Sequence, residues 1–153
     1  MSLKDDLATR LEGDATLPLV TLDSGAVVGV DAKGRFTFTS DAGVRSAFDA
    51  TSAVAFGEVV EQGRDAFEER LAAGARAAEL PADEIVAAFP AVELVRALLA
   101  KEFAYLTRLS LLWILPSELR ELRADIVRIS ESDRTPGPIK DLAKRLIVPA
   151  GYG

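Results

Sequence analysis

The chain has 153 residues, 49% hydrophobic and 27% charged, with net charge −6 and no histidine, cysteine or asparagine. It is too apolar for a disordered segment and long enough to build a core without metal or disulfide staples. Imidazole and thiolate chemistry are excluded outright, which leaves carboxylate, guanidinium, ammonium, hydroxyl and backbone groups.

The length predicts one domain over residues 1–153. Met1–Glu12 places Lys4, Asp5 and Asp6 where a secretory leader would need an apolar run. With no cysteine, this predicts a cytoplasmic protein. The most apolar stretch, Leu109–Ser117, is far short of the roughly 20 residues a spanning helix needs. Charge is uneven: residues 1–80 hold 14 acids against 8 bases, and residues 81–153 hold 10 of each. The last twenty residues are mildly basic, too weakly to offset the acidic half, so nucleic-acid binding is disfavoured.

In chain order, Leu3, Leu7 and Leu11 repeat at helical spacing, Ser2 and Asp5 resemble a capping box, and Gly13 offers a stop. Between Leu17 and Thr39 the period changes to short β-branched or alternating runs. The turn sequences Asp23-Ser24-Gly25 and Asp31-Ala32-Lys33-Gly34 separate them. A three-strand meander follows, with Phe36 and Phe38 on one face. Asp41–Asp49 reads as a short helix and Thr51–Val60 as a fourth strand, although a helix fits the latter nearly as well.

From Arg64 the pattern is helical. Phe67, Leu71 and Ala75 form a stripe in which Gly74 allows close packing. Pro81, Pro90 and Pro116 stand at helix starts. Ala91–Leu115 reads as one long central helix whose end is apolar nearly all round. Pro116 breaks it, and Ser117–Ser130 returns as a hairpin with Leu119, Leu122, Ile126 and Ile129 inward. Ile139–Ile147 is a short closing helix with Lys140, Lys144 and Arg145 outside. The predicted class is α+β: an N-terminal helix and a small antiparallel sheet, about residues 17–60, packed on a C-terminal group of four or five helices.

No constellation names a reaction. Asp65 and Glu69, one turn apart within Glu58, Glu61, Asp65, Glu68 and Glu69, offer oxygen to a hard cation, yet charge runs of this kind are usually solvated surface. Glu118, Glu121 and Asp125 evoke di-iron bundles but lack the necessary histidines. Phosphate loops and serine-nucleophile motifs are absent. No metal and no cofactor are expected.

The remaining feature is the apolar helix end, where Phe103, Leu106, Leu109, Leu112 and Trp113 form a candidate interface. The leading expectation is a small acidic, non-catalytic protein that binds another protein or forms a homodimer. An apolar surface around Trp113 would support it, and an enclosed Trp113 in a lone chain would overturn it. The alternative is a small-ligand-binding protein or carboxylate-based enzyme with a pocket between sheet and long helix. Its mark would be a buried, unpaired carboxylate facing a cavity.

Overall fold

The computed structural model describes residues 2–49 and 51–147. Met1, Ala50 and the end of the basic tail, residues 148–153, lie outside the described residues. The order is a helix, an antiparallel sheet and then helices, an α+β chain. It divides into two compact units, residues 1–89 and 90–153. The first carries 16 acids against 8 bases and the second 8 acids against 10 bases. Among the described residues, no helix is long and apolar enough to cross a membrane.

In the first unit, α1 (Leu3–Arg10) starts as the capping pattern predicts, with the Ser2 hydroxyl accepting from the Asp5 amide at 3.2 Å. The sheet runs β1 (Thr16–Thr21), β2 (Val27–Asp31), β3 (Phe36–Thr39) and β4 (Arg45–Ala47), all neighbours antiparallel. Pro18 sits where the β1–β2 register shifts, on an edge strand that can dispense with its missing amide. Both expected turns form, and each places its glycine at positive φ: +94° at Gly25 and +82° at Gly34.

The fourth strand is not where the sequence placed it. Arg45–Ala47 pairs with β3, and Thr51–Val60 is instead largely a 3-10 helix, Ala53–Glu61. The segment read as a helix, Asp41–Asp49, holds a third hairpin turn through Asp41-Ala42-Gly43. There the Ser40 amide donates to the Val44 carbonyl at 2.8 Å. In the 3-10 helix Ala53, Phe56 and Val59 are buried, a period of three that lines one side of that helix.

α2 (Arg64–Ala77) packs on β1 through Phe67, Leu71 and Ala75, each fully buried. α3 (Ala82–Ala88) follows directly after Pro81 and packs on α2. Six of the seven phenylalanines gather in this unit. Phe89 stacks on Phe36 and Phe67 with centroids 5.1 and 5.0 Å away, and Phe56 on Phe38 and Phe48 at 5.6 and 5.0 Å. These edge-on and tilted contacts add about 0.5–1.5 kcal/mol each to the area they bury.

In the second unit the expected long helix is two helices. α4 (Ala91–Lys101) ends at Glu102, which takes a left-handed φ of +53°, and α5 (Ala104–Trp113) starts afresh. Six α-helices therefore follow the sheet among the described residues. Pro116 opens a short 3-10 turn before α6 (Leu119–Glu131), as the break required. The expected α5–α6 hairpin does not form: α5 packs on α4 and α7 (Gly137–Ile147), while α6 packs on α4 and α7. The Glu118 carboxylate accepts from the Leu115 amide at 3.0 Å and fixes this change of direction. Leu122, Ile126 and Ile129 are buried as expected.

Candidate functional site

The expected interface separates into two environments on α5. Trp113 is 2% exposed and belongs to the interior, so it gives no surface for a partner. By the condition set from sequence, this overturns the expectation in the form given there, an interface built around Trp113, and leaves the exposed side chains between Phe103 and Leu112 as a separate basis for association. Leu106 and Leu109 are half-buried. Phe103, Tyr105 and Leu112 are 57%, 62% and 54% exposed. Tyr105, Leu109 and Leu112, at i, i+4 and i+7, share one face of the helix. The opposite face holds Thr107, Ser110 and Leu111, all buried. The hydroxyls of Thr107 and Ser110 have no hydrogen-bond partner there.

The helix breaks at Glu102 because the chain reverses there in a left-handed step. Phe103 then precedes the first turn of α5, at a corner where its ring stays exposed. Tyr105 belongs to the apolar run read from the sequence but was not among the five interface candidates; its spacing to Leu112 was the signal that it shares their face.

The acidic run is surface. Asp65, Glu68 and Glu69, with Asp83, rim a wide open groove between α2 and α3 over Ala72 and Val86. Glu68 is held by the Arg64 guanidinium at 3.0 Å. Among the described residues, no three acids are arranged to hold a metal ion. The second acidic line is structural: Asp125 pairs with Arg96 at 3.1 Å and with Arg128 at 3.5 Å. Such exposed pairs contribute about 0–1 kcal/mol.

One acid is buried among the described residues, Asp31, 8% exposed. Its Oδ1 accepts from the Lys33 and Arg35 amides at 3.0 and 2.9 Å, and its Oδ2 accepts from Arg35 Nε at 2.9 Å. Burial pushes its carboxyl upward, but these donors and the guanidinium charge together hold it below the usual value. It is therefore a paired, ionised group that organises the β2–β3 turn. It borders a concavity but lacks the free state that a catalytic acid or base would need.

The chain matches no protein-family model, no curated protein and no solved structure.

Proposed function

We propose that this chain is a non-catalytic interaction protein that pairs with a second copy of itself through the exposed face of α5, in a reducing cytoplasmic setting that suits its lack of cysteine. The supporting observation is the concentration of exposed apolar side chains. Of the four large hydrophobic residues so exposed among the described residues, three lie between Phe103 and Leu112. Clustered apolar surface of this kind marks interaction sites, whereas isolated apolar residues do not.

Charge selects the occupant. α5 has a single charged residue, Arg108, so a strongly charged partner finds little to pair with. A second copy offers the same apolar stripe, and a twofold axis sets the stripe against itself. Residues 90–153 carry 8 acids against 10 bases, so two copies meet there almost without repulsion. Association through residues 1–89, with 16 acids against 8 bases, would oppose like charges.

Sedimentation equilibrium across a concentration series tests the reading. The parent chain is expected to show reversible dimerisation. Leu112→Lys, which would bury an ammonium in the contact, should weaken it by about tenfold or more. Val44→Lys, more exposed than Leu112 and on the other unit, should leave it unchanged. A parent chain that stays monomeric, or a Leu112→Lys dimer as tight as the parent's, contradicts the proposal.

A further inference from the structure

We infer that a second site, at the β2–β3 end of the sheet, binds a small tetrahedral oxyanion of phosphate or sulfate size. A concavity of about 140 Å³ opens there, bordered by Asp14, Asp31, Lys33, Arg35, Thr37 and Arg45. Liquid water occupies roughly 30 Å³ per molecule, so the space equals four or five waters. That holds a five-atom oxyanion and is well below the roughly 300–1,000 Å³ of pockets for drug-sized ligands.

The charge distribution is what points to an anion. Residues 1–89 carry 16 acids and only 8 bases, yet three of those bases converge on this one hollow. Two are held in place by the fold. Arg35 is fixed through Nε by Asp31, which leaves its terminal nitrogens outside that ion pair. Arg45, from β4, donates a hydrogen bond from its Nη1 to the backbone carbonyl of Asp14 and keeps the rest of its fork. Lys33, exposed on the turn, is in no ion pair among the described residues.

Asp31 offsets the charge of Arg35, and the exposed Asp14 carboxylate offsets one more. The wall keeps a net positive charge of one. A guanidinium fork matches two oxygens of a phosphate or sulfate in parallel, and an ammonium adds a point charge. The hollow thus presents fixed donors ahead of any ligand, and fixed donors lose little entropy on binding.

The test uses inorganic phosphate as probe, titrated at constant ionic strength against chloride while amide NMR signals are followed. Saturable shifts confined to residues 32–37 and 45–47 are expected for the parent chain. Arg45→Gln should weaken the apparent affinity about tenfold or more, the scale of one charge-assisted hydrogen bond. Circular dichroism checks that this variant folds. If it does not, Lys33→Gln, at an exposed turn position, decides alone and should also weaken binding. Shifts that never saturate, shifts reproduced by chloride, or an affinity unchanged in the folded variants overturn the inference.

Discussion

Replacing Gly74 by alanine separates helix propensity from packing. In an exposed helix interior the change gains up to about 1 kcal/mol, because glycine has more backbone freedom to lose on folding. At Gly74 the new Cβ would stand 1.9 Å from the Leu19 carbonyl oxygen and 2.7 Å from its carbon, where real Cβ contacts essentially never fall below 3.0 Å. Both atoms belong to the β1 backbone and the new Cβ is fixed to the α2 backbone, so neither side can swing aside. The helix must retreat by about 1 Å, and a gap of that size forfeits a quarter to a half of each dispersion contact. Phe67, Leu71 and Ala75 make those contacts and are fully buried. Overpacking of this kind costs about 1–3 kcal/mol and can exceed that, so a net loss near 2 kcal/mol is expected despite the better propensity. Equilibrium urea denaturation measures it, with the exposed neighbour Ala73→Gly as reference at a loss of about 1 kcal/mol. A Gly74→Ala chain as stable as the parent, or more so, would refute the close approach of α2 to β1.

Trp113→Ala should cost about 3–5 kcal/mol at any protein concentration, whereas Leu112→Ala should change the stability of a dilute sample by no more than about 0.5 kcal/mol. Urea midpoints at two concentrations check the pair. Thr107→Val removes a buried hydroxyl with no partner while keeping its shape, and should raise stability by about 1 kcal/mol, a few degrees in Tm by calorimetry. A clear loss would show that the hydroxyl is bonded after all. Asp49 is held down to about 2 by the Thr51 hydroxyl first and then by the Ser52 and Thr51 amides. Its depressed value means that the stability it contributes is present above the ordinary 3.8 and is lost as pH falls through about 2. Carbon-detected NMR of the Asp49 carboxyl should show that low midpoint, and Thr51→Val should move it upward.

The elements with enough residues to show a period were legible in the sequence. The meander announced itself through alternation and two glycine turns, and α6 through Leu122, Ile126 and Ile129, which are buried, with Leu119 only half-buried. β4 was not legible because its three residues are too few to display alternation. Its turn glycine, Gly43, was the only usable mark and was read inside a helix. Residues 53–61 misled because Phe56 and Val60, four apart, share one face of a strand and also lie about one helical turn apart. Their distinction rests on Ala53 and Val59, which a strand would have turned outward. The break at Glu102 had neither proline nor glycine to signal it, since a glutamate there adopts the left-handed conformation at some cost. Once that break is placed, the two helices are free to differ in phase, which puts Tyr105 and Leu112 outside and Trp113 inside. The basic hollow was wholly invisible in the linear chain. Lys33 and Arg35 lie ten or more residues from Arg45, which pairs opposite Thr39 and reaches the same hollow only through its side chain's bond to the Asp14 carbonyl.

Native mass spectrometry of the purified chain, sprayed from a volatile buffer across a concentration series, tests the central claim most directly. Self-association through α5 predicts a species of twice the chain mass that grows with concentration and disappears in Leu112→Lys. A chain that remains at its single mass throughout, with Phe103, Tyr105 and Leu112 simply facing water, would contradict it.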